Sequence, residues 1–125
     1  MSDLINMKFH TIMLGRIEHP NQTNLVVLET RAEQDCLLKF ITDEFHSTSA
    51  VKFAIGLQSP DHYKGVYQWR PAGLSPSFTN WGGGSPSNKK CVQMTVGPGT
   101  SQNGMWTDIS CQMEKNLYGI CERKV

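Results

Sequence analysis

Two lysines and an aspartate in the second half of the chain have residue types and positions that could bind a ligand. Lys89 and Lys90 follow the glycine run Gly82–Gly84, and they could form an anion site for sulfate, sialic acid or an acidic protein patch. A solvated loop tip is the simpler interpretation of this pair. Asp108 could ligate a metal ion, although a lone carboxylate more often accepts a hydrogen bond at a turn or strand edge.

Residue patterns typical of enzymes are missing from the sequence. The four histidines are scattered, and no two of them have the spacing of a metal site or a catalytic triad. No serine lies in a Gly-x-Ser-x-Gly sequence, and residues 82–90 lack the spacing of a phosphate-binding loop. We therefore expect a protein that is not an enzyme and that carries no cofactor.

The cysteines indicate the redox compartment. The four of them, Cys36, Cys91, Cys111 and Cys121, include no Cys-x-x-Cys pair, which argues against a zinc ribbon. In a small domain they allow two disulfides in any of three pairings. Together with 11 glycines and 6 prolines they indicate a loop-rich, oxidised, extracellular domain, and Asn21–Thr23 fits an N-glycosylation sequence.

The size and charge of the chain limit its class. With 125 residues it is the size of one domain, and its net charge of +1 excludes a field strong enough for general nucleic-acid or membrane-surface binding. The longest apolar run, Leu25–Leu28, is far shorter than the roughly 20 residues that span a bilayer. Residues 1–3 do not open a secretory signal, so we expect either a mature or shortened chain or a cytosolic protein, and the cysteines favour the first.

One helix is well defined by the sequence. Thr30 and Glu33 have the spacing of a capping box, in which the hydroxyl accepts the Glu33 N–H and the carboxylate reaches back to the N–H of Thr30. The spacing of apolar residues then predicts an amphipathic helix from Arg31 to about Phe45. Its apolar face comprises Ala32, Cys36, Leu37, Phe40, Ile41 and Phe45, and its solvated residues are Arg31, Gln34, Lys39 and Asp43.

Short apolar or alternating segments predict the strands, and a long irregular loop separates two of them. Residues 70–90 are rich in glycine, proline, serine and asparagine, and a loop of this length is usually functional. Trp69, Phe78 and Trp81 would anchor it, and we favour a packing role for the two tryptophans over a sugar-stacking platform. The predicted strands are Met7–Ile17, Leu25–Leu28, Phe53–Leu57, Val66–Trp69, Cys91–Val96, Met105–Trp106 and Leu117–Cys121, with Gly56 at a bulge or a close backbone approach.

A series of short motifs resembles the C-type lectin-like domain family. Residues 25–35 resemble the segment leading into that family's second helix, and Ala54–Leu57 resembles its Trp-Ile-Gly-Leu strand. Each motif alone is weak, but the whole series has the family's order and spacing over residues 25–125. The remaining motifs are Tyr67–Trp69, Phe78–Trp81, Cys91–Met94, Trp106–Cys111 and Gly119–Glu122.

This resemblance implies an α+β fold with two small antiparallel sheets, a flanking helix or helices and a long loop region. Residues 25–125 would form the C-type lectin-like domain, and residues 1–24 an atypical N-terminal segment, a strand plus a turn, within the same domain. The resemblance also implies a disulfide between Cys91 and Cys111, which would hold the base of the loop.

The other cysteines depart from the family pattern. The family places a cysteine just before the Leu25 segment and pairs it with the position of Cys121, but residues 1–24 contain no cysteine. Cys36 lies instead on the helix. Cys36 and Cys121 are therefore either a second disulfide or thiols, and we favour a buried thiol at Cys36.

The residues at the family's calcium site are also altered. Sugar-binding members hold calcium with a Glu-Pro-Asn or Gln-Pro-Asp triplet, a further Glu and an Asn-Asp pair, because calcium takes six to eight oxygen ligands. In this chain Asp108 alone keeps a carboxylate, and two lysines stand near the position of the further Glu. We therefore predict that calcium does not bind there, with Asp108 as a weak candidate ligand. The corresponding residues, which form the predicted ligand-binding site, are Ser85, Pro86, Ser87, Lys89, Lys90, Thr107 and Asp108.

Together these features predict an extracellular recognition module, secreted or at the cell surface. It would bind a protein or glycan, without calcium, through the loop of residues 70–90 and the strand near Trp106. A calcium-dependent lectin with a non-standard ligand set is the alternative within binding. A structural or oligomerising module, in which residues 1–24 supply a strand to a homodimer, is the alternative of another class.

Overall fold

One helix and six strands make up the regular structure of the described chain. The computed structural model describes residues 11–16, 25–44, 49–60, 65–70, 73–111 and 118–123, with the backbone alone in the first and last ranges. The elements are α1 (Arg31–Glu44), β1 (Thr11–Arg16), β2 (Val51–Gln58), β3 (Gln68–Trp69), β4 (Cys91–Val96), β5 (Trp106–Ile109) and β6 (Tyr118–Arg123).

Helix α1 begins at the predicted capping box. Thr30 Oγ1 accepts the Glu33 N–H at 3.1 Å, as predicted. Glu33 Oε1 accepts the N–H of Glu29 at 3.0 Å, one residue before the predicted donor Thr30. Such bonds satisfy donors that the first helical turn cannot satisfy internally, so they fix where the helix starts. The predicted helix is confirmed over Arg31–Glu44, and Phe45 lies outside the described residues.

The face that α1 turns to the core differs from the predicted face at two positions. Ala32 is exposed, whereas Gln34, predicted to be solvated, has only 1% of its surface exposed. Gln34 lies on the same side of the helix as Leu37 and Ile41, which are also buried. An amide can occupy such a position only if both of its ends are hydrogen-bonded, and both are.

The strands form one connected sheet in the order β1-β6-β2-β4-β5, and β3 pairs with the end of β2. Neighbours are antiparallel except for β2 and β6, which pair in parallel at Phe53 with Tyr118 and at Ala54 with Gly119. The α+β class is therefore confirmed. The two antiparallel sheets that were predicted are joined by this short parallel pair.

Strand β4 lies at the centre of the core, and all six of its residues are buried. Because side chains alternate between the two faces of a strand, Val92 and Met94 pack in the main core with Leu37 of α1. Cys91 joins a smaller cluster on the opposite face. The start of β4, where the long loop ends, is thus packed on both faces of the sheet.

Residues 25–28 and β2 make a close backbone contact. Predicted as a strand, this segment is instead a buried stretch outside the regular strands, with Leu25, Val26 and Leu28 almost fully enclosed. Gly56 N–H donates to Val26 O at 2.9 Å, and a Cβ at Gly56 would stand 2.9 Å from Leu25 O. The register of β2 against β4 also shifts between Ile55 and Gln58, so the predicted bulge and close approach both occur at Gly56.

The N-terminal strand is present over Thr11–Arg16 and pairs with β6 of the same chain. The turn predicted within residues 1–24, at His19–Asn21, and the glycosylation sequence at Asn21–Thr23 lie outside the described residues. Across the described ranges, no helix is both long enough and apolar enough to cross a membrane.

Candidate ligand-binding site

The long loop between β3 and β4 is packed against the buried ring of Trp106. Apart from single bridges at Leu74 and Trp81, residues 73–90 contain no regular structure. The Trp106 ring makes edge-on contacts with Trp69, Phe78 and Trp81, with centroids 5.7, 5.6 and 6.0 Å away. Trp69 and Trp106 are 2% and 0% exposed. Trp69 and Trp106 therefore offer no flat face on which a sugar could stack. Trp81, the second tryptophan that was predicted to pack, is half-buried and packs against the same core.

Gln34 connects α1 to this aromatic cluster. Its Oε1 accepts the indole N–H of Trp106 at 3.0 Å, and its Nε2 donates to the carbonyl of Gly104 at 2.8 Å. Asn80 Nδ2 donates to the same carbonyl at 2.7 Å. The helix, the loop and the approach to β5 thus share one buried hydrogen-bond network. Sequence analysis missed Gln34; the signal available was its helical spacing from Leu37 and Ile41.

Asp108 on β5 holds the far part of the loop. The residue is 5% exposed, and its Oδ2 accepts the backbone N–H groups of Ser87 and Lys89 at 2.7 and 2.8 Å. The hydroxyl of Ser87 lies 3.2 Å from Oδ1 and 3.1 Å from Oδ2, and the hydroxyl of Tyr67 donates to Oδ2 at 3.3 Å. The carboxylate thus accepts three donors from the loop, namely the two N–H groups and the Ser87 hydroxyl. The Tyr67 hydroxyl is a weaker fourth partner, because its single hydrogen is shared with the Lys89 carbonyl 2.7 Å away.

The electrostatics of Asp108 and Tyr67 follow from these contacts. Burial by itself would raise the pKa of Asp108, but the hydrogen bonds from Lys89 and Ser87 outweigh it, so the pKa lies below its ordinary value of 3.8. Burial first, and then the adjacent Asp108 charge and hydrogen bond, raise the pKa of Tyr67 to about 12. At neutral pH the pair is a carboxylate facing a neutral phenol, which is the combination its hydrogen bond requires.

The turn that carries the two lysines has a fixed backbone. The carbonyl of Lys89 accepts the Tyr67 hydroxyl at 2.7 Å, and that of Lys90 accepts the Ser59 N–H at 2.8 Å. Asn88 between Ser87 and Lys89 has a φ of 70°, and the Ser85–Pro86 peptide bond is cis. The side chain of Lys89 is exposed and that of Lys90 is half-buried.

Two of the predicted site residues lie apart from this group. Thr107 precedes Asp108 on β5, so its side chain points to the opposite face of the sheet, where its hydroxyl accepts the Gln93 Nε2 at 3.1 Å. Pro86 is exposed and makes no part of the Asp108 network. The structure therefore brings Ser87, Lys89 and Asp108 together and leaves Thr107 on the other side.

A disulfide joins Cys91 at the start of β4 to Cys111 after β5, with their Cα atoms 5.2 Å apart. It is the pairing that the family resemblance implied. Cys36 is a buried thiol on α1. The side chain of Cys121 lies outside the described residues. Among the described side chains, no group of three or more His, Cys, Asp and Glu residues could hold a metal ion.

A capped helix, a mainly antiparallel sheet and a long loop held by aromatic rings and a disulfide define a lectin-like recognition domain. The family model described as "Lectin C-type domain" matches residues 19–123, and the chain therefore belongs to the C-type lectin family. The chain is 31% identical over 106 residues to "C-type lectin mosGCTL-7" from Aedes aegypti. That match covers 81% of this chain and 68% of the relative.

Solved structures show the same fold. Human lithostathine superposes with a TM-score of 0.63 at 23% identity, covering 90% of this chain and 91% of that one. A protein described as "Ca2+-independent C-type lectin SPL-2" from Saxidomus purpuratus superposes with a TM-score of 0.57 at 26% identity, covering 78% of this chain and 64% of that one.

Proposed function

We propose that the chain is an extracellular recognition module that binds a glycan or protein ligand without calcium and performs no catalysis. The ligand surface is the loop of residues 70–90 together with the strand near Trp106. Membership of the C-type lectin family supports a binding role. The disulfide between Cys91 and Cys111 supports an oxidising location.

The hydrogen bonding of Asp108 is the observation that carries calcium independence. A calcium ion takes six to eight oxygen ligands, and tight sites depend on several carboxylates. Asp108 is the one carboxylate in the set formed with Ser85, Ser87 and Thr107, and its oxygens already accept bonds from Ser87, Lys89 and Tyr67. A cation at Asp108 would have to displace these donors, and Thr107 faces away. These residues therefore do not fit a calcium ion.

In this loop Asp108 organises the backbone, as a bound ion would otherwise do. It fixes the backbone at Ser87 and Lys89 with protein hydrogen bonds alone. A loop organised in this way is ready to bind in a calcium-free solution. The similarity to a protein described as a Ca2+-independent C-type lectin agrees with the proposal.

Isothermal titration with calcium tests this function directly. We expect no binding tighter than about 1 mM, because the site lacks the ligand charge and number that tight sites need. Ligand binding should also be the same in excess EDTA and in added calcium. A dissociation constant below about 1 mM that is lost in Asp108→Ala would refute the proposal and indicate a calcium-dependent lectin.

A further inference from the structure

The turn at Lys89 combines an exposed basic side chain with an irregular backbone. Trypsin-type proteases hold a lysine or arginine in an acidic pocket and cut the peptide bond that follows it. Exposed loop tips with polar residues are the preferred places for such cuts. Lys89 is exposed, and so are Ser87 and Asn88 before it. In sequence and exposure this turn is therefore a candidate cleavage site.

The other basic residues of the described chain are poorer targets for such a protease. Those that lie in the helix or in strands are Arg16, Arg31, Lys39, Lys52 and Arg123. Arg70 lies outside these elements, but it precedes Pro71, and trypsin-type proteases cut poorly before proline, which has no N–H. Lys90 is half-buried and Cys91 is 1% exposed. The Lys89–Lys90 bond is therefore more accessible than the Lys90–Cys91 bond.

The backbone groups around the Lys89–Lys90 bond are already hydrogen-bonded within the domain. The Lys89 N–H donates to Asp108 Oδ2 at 2.8 Å. The Lys89 carbonyl, which belongs to the bond itself, accepts the Tyr67 hydroxyl at 2.7 Å. The Lys90 carbonyl accepts the Ser59 N–H at 2.8 Å. Because an extended peptide is bound through these same N–H and C=O groups, the turn must open before a protease can bind it.

The carboxylate of Asp108 ties the turn to β5. It is 5% exposed, and it also accepts the N–H of Ser87 at 2.7 Å and the Ser87 hydroxyl at 3.1 Å. Hydrogen bonds to a charged acceptor are stronger than those between neutral groups. The turn thus combines a cleavable sequence with a conformation that a protease cannot bind.

We propose that the Lys89–Lys90 bond is a cleavage site for trypsin-type proteases that Asp108 keeps closed in the folded domain. When the turn opens, the protease hydrolyses the C–N bond, and water supplies the hydroxyl of the new Lys89 carboxyl group and a proton of the new Lys90 amino group. Cys91 and Cys111 both follow the cut, so their disulfide does not join the two pieces. Cleavage separates the loop of residues 70–90 from β4, and this inference does not depend on which ligand the loop binds.

Limited proteolysis of the folded chain with trypsin in EDTA tests the inference. The cut is followed by the new N-terminus at Lys90, so cuts at other basic residues do not interfere. We expect Asp108→Asn to be cut at this bond at least about tenfold faster than the wild type, because the rate follows the population of the open turn. Tyr67→Phe removes the hydroxyl bonded to the Lys89 carbonyl and should accelerate the cut about two- to fivefold, even if Asp108→Asn folds poorly.

Two control variants separate local opening from unfolding of the whole domain. Gly56→Ala places a Cβ 2.9 Å from Leu25 O, so it destabilises the domain away from the turn. It should accelerate the cut far less than Asp108→Asn, because the turn opens without the rest of the domain. Lys89→Gln should abolish the cut at this bond, since the protease pocket requires a basic side chain.

Each outcome bears on the inference. A wild type that is cut at this bond as fast as Asp108→Asn would show that Asp108 does not close the site. A bond that resists trypsin in both Asp108→Asn and Tyr67→Phe would overturn the site itself. Equal acceleration in Gly56→Ala and Asp108→Asn would show that the cut follows global unfolding, which also overturns the inference. Calcium-free ligand binding is tested separately by the calcium titration and is not affected by these outcomes.

Discussion

The hydrogen bonds of Asp108 predict the effect of the near-isosteric change Asp108→Asn. The new NH2 group cannot accept a hydrogen bond, and the lost charge weakens the bonds that the Ser87 and Lys89 N–H groups make. Leaving a buried donor unsatisfied costs about 1–3 kcal/mol. Because the turn can relax toward water, we expect the free energy of unfolding to fall by about 2 kcal/mol.

Urea unfolding at pH 7 measures this loss, and amide hydrogen exchange locates it. Exchange at Ser87 and Lys89 should accelerate more than at Met94, which lies in the buried β4. Asp43→Asn is the matched control, since Asp43 is an exposed carboxylate 3.2 Å from Lys39 Nζ. An exposed ion pair of this kind contributes about 0.5 kcal/mol or less.

The dependence on pH tests the same contact by a second route. Folding lowers the pKa of Asp108 below 3.8, so its contribution is complete above that pH and is lost as the pH falls through the lower folded pKa. The stability gap between the wild type and Asp108→Asn should therefore close in acid. A variant as stable as the wild type at pH 7, or a gap that persists unchanged at pH 2, would show that Asp108 does not hold the loop.

Two further changes test the packing that positions the loop. Gly56→Ala would place a Cβ 2.9 Å from Leu25 O and should lower the free energy of unfolding by about 1–3 kcal/mol. The control Gly83→Ala meets no atom within 4 Å and should be nearly neutral. Equal urea midpoints for the two variants would contradict this reasoning. Gln34→Leu should lower the free energy of unfolding by about 1–3 kcal/mol, because it leaves the buried indole N–H of Trp106 without its acceptor. An unchanged urea midpoint together with unchanged tryptophan fluorescence would show that Gln34 does not stabilise the aromatic cluster.

The features that the sequence predicted well are those with local causes. The helix over Arg31–Glu44 follows from a capping box and a repeating apolar pattern within 14 residues. Strand β4 follows from a short alternating segment, and the close backbone approach at Gly56 follows from its missing side chain. The disulfide between Cys91 and Cys111 followed from the family resemblance and not from spacing.

The features that could not be predicted from the sequence depend on contacts between distant segments. Gln34 was assigned to solvent because its partner Trp106 lies 72 residues away, and no local pattern identifies that partner. The parallel pair between β2 and β6 similarly joins Phe53 to Tyr118. Thr107 and Asp108 are adjacent in sequence, but alternation along β5 sends their side chains to opposite faces, so only Asp108 reaches the loop.

The surroundings of Asp108 suit a structural role in the loop better than a role as a cation ligand. An aspartate with other carboxylates around it is a cation ligand, because their combined charge is stable only when a cation neutralises it. In this chain the neighbouring positions hold Ser87 and Lys89, whose N–H groups point at the carboxylate instead. These donors lower the pKa of Asp108 even though it is buried, so its negative charge is stabilised without any ion. Under the proposed function the loop therefore keeps the same backbone whether or not calcium is present, because Asp108 holds the N–H groups of Ser87 and Lys89.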